Sequence, residues 1–307
     1  MTDILVLMLP IFAMIAIGSL FLWRRWFPTE GLPILNRFVM NACIPVLLFS
    51  AIINGQSLAG FAWLNAIVFA AASLCSALLL WGFLRFVLGE AQPSGIILAL
   101  GGATANSIFL GFPIASVVFP ERATEVFSWV VFAEVAIIMP TVSTLALLAE
   151  GQHDGAKVAD ALKALLVSPV SIGLVAGFAF LAMGLSLPEW LDKVVSSIVA
   201  SAPFIALFVI GGSILQFQVS RSGPRVIAIT VAKLLIHPLF VGLAFLVVFG
   251  PQVPATREAI LFASMPLFLS YVVFCGRHGV GEVGASAIVV STVVGAVTVT
   301  MVLAMLF

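Results

Sequence analysis

The sequence predicts an all-α integral membrane protein of ten transmembrane helices. They form two five-helix repeats of opposite orientation, in which the broken fourth and ninth helices cross. Three observations predict this. Of 307 residues, 63% are hydrophobic and 8% charged, whereas a soluble domain carries roughly 25% charged residues. The apolar residues fall into ten stretches long enough to cross a bilayer, which takes about 20 residues. Two of those stretches, one in each half, are interrupted by polar and helix-weakening residues: Gly101-Gly102-Ala103-Thr104-Ala105-Asn106 with Gly111 and Pro113, and Ala263-Ser264-Met265-Pro266 with Ser270 and Tyr271. Non-helical backbone survives in hydrocarbon only where protein or a water-filled cavity surrounds it. Matched interruptions therefore point to a buried site of the kind transporters use.

In order, the spans are expected near 3–23, 33–54, 60–88, 93–119, 125–149, 164–185, 192–217, 225–249, 256–276 and 283–306. The first ends on Arg24-Arg25 with no small-residue cleavage signal, so it reads as a retained helix. The third and fourth are long enough to tilt or kink. Basic residues at the span ends set the orientation. With the N-terminus outside, Arg24, Arg25, Arg37, Arg85, Lys157, Lys163, Arg221, Arg225 and Arg277 lie on the cytoplasmic side, and Arg122, Lys193 and Arg257 lie opposite. Both termini are thus expected outside.

Five spans per half is an odd number, so the second repeat must enter from the other side. The halves, 1–150 and 151–307, join at the polar stretch from Glu150 to Lys163. Pro10 precedes Gly18 by the interval at which Pro169 precedes Gly177, and Pro45 of the second span matches Pro203 of the seventh. IILALGGATANS (96–107) aligns with AILFASMPLFLS (259–270), which sets Ser107 opposite Ser270.

Net charge is zero with no basic run, so nucleic acid is not an expected partner. Cys43, Cys75 and Cys275 lack CxxC spacing and read as buried reduced thiols, without metal or disulfide. No P-loop is present, so this chain by itself is not expected to use ATP, and no cofactor is expected. An intramembrane protease would need paired aspartates or a Ser–His pair within spans. Asp3, Asp154, Asp160 and Asp192 are terminal or loop residues, so an enzyme is not expected.

Six segments in register resemble the auxin efflux carrier family: NRFVMNACIPVLLFSAI from Asn36, SPVSIGLVAGF from Ser168, SAPFIALFVIGGSILQ from Ser201, KLLIHPLF from Lys233, TANSIFLGFPI from Thr104 and ASMPLFLSYVVFCGRHGV from Ala263. The likeness covers the whole chain and is to the bacterial branch, which includes malonate-type permeases. It implies the crossed ten-helix plan shared with bile-acid/sodium symporters. Spans 1, 2, 6 and 7 would form a scaffold, and spans 3–5 and 8–10 a transport unit. It also implies elevator motion, a homodimer and residence in the bacterial inner membrane. The chain departs from the plant members at Ala105, where they carry proline, and lacks their long cytoplasmic loop. The first break then rests on Gly101, Gly102, Thr104 and Asn106.

Candidate substrate-binding residues are Thr104, Asn106, Ser107, Pro266, Ser270 and Tyr271. An amide such as Asn106 can cap a half-helix or bind a carboxylate oxygen. Half-helix N-termini carry free N–H groups and partial positive charge suited to an anion. Pro266 leaves the Phe262 carbonyl without its helical donor. Tyr271, the single tyrosine, suits either an interfacial anchor or a ligand. Glu134, Lys233 and His237 are candidates for coupling or gating, since a charge at a helix centre costs about 2.5–3.5 kcal/mol on insertion scales and seeks a partner or cavity. Snorkelling to the interface is the competing reading for Lys233. His153 and His278 read as solvated loop residues. Asn41, Asn54, Gln56 and Gln216 read as helix-contact or end residues.

The expected function is secondary transport of a small organic anion, a mono- or dicarboxylate, with protons as a candidate coupling ion. The alternatives are a sodium-coupled symporter of the bile-acid type, or a passive channel or sensor. Sodium coupling needs a cluster of oxygen ligands, and Glu134 is the single carboxylate expected inside a span.

Overall fold

A computed structural model describes residues 2–55, 60–151, 163, 167–214 and 223–307. Gln56, His153, Asp154, Lys157, Asp160, Gln216, Arg221 and most of the expected joint between the halves lie outside the described residues. Among the described residues all regular structure is helical, with no strand. The helices in order are α1 (Thr2–Trp23), α2 (Gly31–Phe38), α3 (Ile44–Gly55), α4 (Trp63–Phe86), α5 (Ser94–Ala99), α6 (Phe112–Val118), α7 (Pro120–Phe132), α8 (Met139–Ala149), α9 (Pro169–Ala182), α10 (Glu189–Ile214), α11 (Gly223–Val231), α12 (His237–Phe249), α13 (Pro254–Ala263), α14 (Tyr271–Arg277) and α15 (Gly281–Leu306).

Among the described residues, seven stretches are long and apolar enough to cross a membrane: Gly31–Asn54, Trp63–Phe86, Ser94–Val118, Pro120–Ala149, Glu189–Ser213, Gly223–Phe249 and Gly281–Leu306. Leu9–Trp23 and Pro169–Ala182 are shorter apolar helices. The protein is therefore an all-helical, multi-pass membrane protein.

Four π-turns interrupt these stretches, at Val39–Cys43, Ser107–Gly111, Ala133–Ile138 and Ala232–Ile236. Each is followed, after one residue, by a proline: Pro45, Pro113, Pro140 and Pro238. The reason is steric. Proline has no N–H and its ring collides with the carbonyl four residues back in a regular helix. Widening the preceding turn relieves the collision and hands carbonyls to donors five residues on. Ile44 N–H pairs with Val39 O, Met139 with Glu134 O, and His237 with Ala232 O. Each π-turn also carries a polar side chain: Asn41, Ser107, Glu134 and Lys233.

The chain divides into two compact units, each drawn from both sequence halves. The first comprises Met1–Ala62, Ile108–Trp129 and Leu166–Gln216. Its division from the rest falls inside the stretches Ser94–Val118 and Pro120–Ala149. In it α1 packs on α10 and α3 on α9, with glycines at the closest points. A Cβ on Gly211 would collide with the Ile15 carbonyl, and one on Gly173 with the Pro45 backbone. Small residues let helix backbones approach closely in a membrane, where no hydrophobic drive exists between helices. Ser19 Oγ donates to Gly211 O at 2.7 Å across the same contact.

The second unit comprises Trp63–Ser107, Val130–Leu165 and Phe217–Phe307. In it α12 packs on α4 and α13, α15 on α14 and α11, and α5 on α4 and α8. The expectation that all three thiols are buried is corrected for Cys75. It is exposed on α4, while Cys43 and Cys275 are buried; all three are free. A thiol on an outward, apolar helix face needs no burial in protein, because it behaves as a small hydrophobe.

Candidate functional site

Both interruptions lie in the second unit. The stretch Ser94–Val118, the expected fourth span, ends its first half at α5 and a 3-10 turn, Leu100–Gly102. Residues 103–106 are non-helical, and the π-turn at Ser107 resumes the helix. The expected breaks at Gly101, Gly102, Gly111 and Pro113 are therefore corrected. The glycines lie within the 3-10 turn, and Gly111 and Pro113 lie in continuous helix, where the π-turn has absorbed the proline. The break itself is Ala103, Thr104, Ala105 and Asn106. Gly101 serves close approach instead: a Cβ there would lie 2.9 Å from the Ile229 side chain and 3.0 Å from Tyr271 Oη. The expected ninth span is broken over residues 264–270, between α13 and α14.

The two breaks meet through their backbones. Asn106 N–H donates to the Pro266 carbonyl at 2.8 Å. The Pro266 ring in turn packs where Gly295 of α15 has no side chain. Tyr271 Oη donates to Leu98 O of α5 at 2.8 Å. Tyr271 is fully buried, so the interfacial-anchor reading is corrected: its hydroxyl ties the start of α14 to the first half of the fourth span. Thr104 and Ser264 return their hydroxyls to their own helices, at Leu100 O (2.9 Å) and Ile260 O (2.7 Å). Asn106 and Ser107 are buried and Ser270 is half-buried.

A carboxylate closes the first break. Glu134 Oε1 accepts from Ala105 N–H and from the Ser107 hydroxyl, each at 2.9 Å. Glu134 is buried, and its carboxylate meets the point where the fourth span resumes, where free N–H groups and the helix dipole favour negative charge. Part of the donor set expected for a substrate anion is thus already held by the protein. At the second break the corresponding contact is weaker: Leu267 N–H lies 3.4 Å from Ser291 Oγ of α15.

An ammonium meets the other break. Lys233 has no exposed surface, which corrects the snorkelling reading. Its Nζ donates to Ala263 O, at the C-terminal end of α13, at 2.8 Å, and lies 2.6 Å from His237 Nδ1. His237 Nε2 lies 2.8 Å from Ser73 Oγ, and Ser73 donates its hydroxyl to Phe69 O at 2.7 Å. Counting hydrogens assigns the tautomer. The one Ser73 proton is used on Phe69, so Ser73 accepts from His237 Nε2–H, and Nδ1 is left as a lone pair for the lysine. Lys233 and Glu134 also interact electrostatically.

Sequence reasoning missed several partners. Ser73 and Ser291 were hidden in runs of small residues. Glu258 on α13 is buried, so Glu134 is not the single carboxylate inside a span. Its signal was its place on one helix face with Ala255, Ala259 and Phe262. Glu90 is buried and pairs with Arg225 Nε at 2.6 Å. His278 is not merely solvated, since its Nδ1 lies 2.9 Å from Glu150 Oε1. Asn41 is exposed, and Asn54 Nδ2 donates to Ser50 Oγ at 3.1 Å, both in the first unit. Among the described residues, no three His, Cys, Asp or Glu side chains gather as a metal site.

Residues 3–304 match the family described as membrane transport protein. A relative from Rhizobium meliloti (strain 1021), named "Putative malonate transporter", is 26% identical over 316 residues, covering 98% of this chain and 95% of its own.

Proposed function

The chain belongs to the membrane transport protein family, the auxin efflux carriers, and from that premise we propose that it is a secondary carrier for a small organic anion. The family is one of transporters, not enzymes. The reading rests on one observation above the others: two broken spans joined by the Asn106–Pro266 backbone bond, with Glu134 and Lys233 buried at their open ends. Discontinuous helices of this kind form substrate sites in secondary transporters. The name of the relative favours a dicarboxylate such as malonate as the first substrate to try.

Ten spans follow if the seven long stretches are joined by Leu9–Trp23, Pro169–Ala182 and the interrupted pair α13–α14. In this reading the two halves are inverted repeats with both termini outside the cytoplasmic membrane, and the protein is a homodimer. The unit holding both breaks moves against the scaffold of spans 1, 2, 6 and 7. Thr104, Asn106, Ser107, Pro266 and Ser270 form the substrate end of that unit, and Tyr271 holds it together.

A panel of organic acids tests the reading by thermal unfolding of the purified protein. A ligand that binds only the folded state adds about 2.7 kcal/mol of stability at one hundred times its Kd. Malonate or a related carboxylate is expected to raise the midpoint in the wild type and to lose that effect in Asn106→Ala. A panel in which no carboxylate shifts the wild type counts against an organic-anion site.

A further inference from the structure

The open ends of the two interrupted spans are met by opposite charges supplied by the protein. Glu134 sits on amide donors, and Lys233 sits on a carbonyl at the end of α13. The lysine position has the makings of an ion site. The Ala263 carbonyl lies at a helix C-terminus, where unpaired carbonyls carry partial negative charge. Its companion acceptor is the His237 Nδ1 lone pair, held in place because Nε2–H is committed to Ser73. Two converging acceptors buried in a membrane protein call for a cation or a donor.

We infer that Lys233 carries a tethered monovalent cation: its ammonium fills a cation site built from Ala263 O and His237 Nδ1, so the crossing requires no inorganic ion there. The charge is not isolated, since Glu134 interacts with it electrostatically. Around the π-turn that holds Lys233 pack α4, α11, α12, α15 and the Leu100–Gly102 turn. Among the described residues, the only other titratable group these elements bring to the ammonium is His237. On α4, Cys75 and Arg85 are exposed; on α11, Arg225 is paired with Glu90; on α15, Glu282 is exposed. Removing the lysine side chain leaves a site for a small primary ammonium ion, with an alkali cation as a poorer fit because one of its two acceptors is a nitrogen.

Thermal unfolding in detergent tests this without any substrate, so its outcome is independent of which anion the protein carries. The wild type is expected to unfold at the same temperature in sodium, potassium and choline chloride. Lys233→Ala is expected to unfold at least about 5 °C lower. Propylammonium or ethylammonium should recover at least half of that loss while leaving the wild type unmoved. A sodium-specific rise in the wild type, or a Lys233→Ala protein that no alkylammonium stabilises beyond its effect on the wild type, overturns the inference. If Lys233→Ala does not fold even when expressed with propylammonium, Lys233→Gln decides. That side chain keeps a donor and loses the charge, so a midpoint equal to wild type overturns the inference, and a drop of about 5 °C or more supports it.

Discussion

Glu134 Oε1 accepts the backbone N–H of Ala105 at 2.9 Å, so a carboxylate on the fifth span supplies the acceptor that a missing helical turn would have given the fourth. The same oxygen holds the Ser107 hydroxyl. Truncating it leaves two buried donors without their acceptor, at about 1–3 kcal/mol each. Glu134→Ala is therefore expected to lower stability by about 2–6 kcal/mol. Glu134→Gln keeps a carbonyl oxygen and should lose less. Thermal unfolding of both variants checks this, and an alanine variant as stable as the glutamine one contradicts the clamp.

Tyr271→Phe removes one buried hydroxyl and no packing. The Leu98 carbonyl keeps the backbone N–H at the end of its own helix and loses the tyrosine's donor, so the expected cost is about 0.5–1.5 kcal/mol. Tyr271→Ala opens a cavity as well and should cost about 3–5 kcal/mol, the range for large aromatic truncations. Were Tyr271 an interfacial anchor, the phenylalanine variant would match the wild type.

Glycines separate close packing from mere flexibility. Gly211→Ala drives a Cβ into the Ile15 carbonyl and should separate α1 from α10, with a cost of at least about 2 kcal/mol, as for strained overpacking. Gly82 lies in α4 with open space where a Cβ would stand, no heavy atom coming within 4 Å. Gly82→Ala should be neutral or gain up to about 1 kcal/mol from helix propensity. Equal behaviour of the two variants in thermal unfolding would contradict the packing of α1 on α10.

Much of this was legible in the sequence, and the residues show where legibility stops. Hydropathy located the seven long apolar stretches, because each must satisfy its own backbone in hydrocarbon, and it located both breaks. It could not locate their edges. Pro113 looked like a helix breaker, yet the π-turn before it absorbs the ring, as happens at Pro45, Pro140 and Pro238. Lys233 and His237 were readable as neighbours because they are four residues apart on one helix. The acceptor Ala263 and the hydroxyl of Ser73 were not, because a backbone carbonyl leaves no mark in a sequence and a serine among alanines leaves little. For the same reason Glu134 stood out as a buried charge, while its partner, the amide of Ala105, did not. Tyr271 was misjudged because its type favours interfaces, whereas its hydroxyl has an internal acceptor.

Counterflow in proteoliposomes tests the central claim most directly. Vesicles loaded with unlabelled malonate are diluted into labelled malonate, for the wild type and for Asn106→Ala. The wild type should accumulate label transiently and saturably, and Asn106→Ala should slow exchange about tenfold or more, equivalent to about 1.4 kcal/mol or more of lost stabilisation. Exchange no faster than in protein-free vesicles for malonate and for every carboxylate that raises the unfolding midpoint, or flux without counterflow, would contradict an organic-anion carrier.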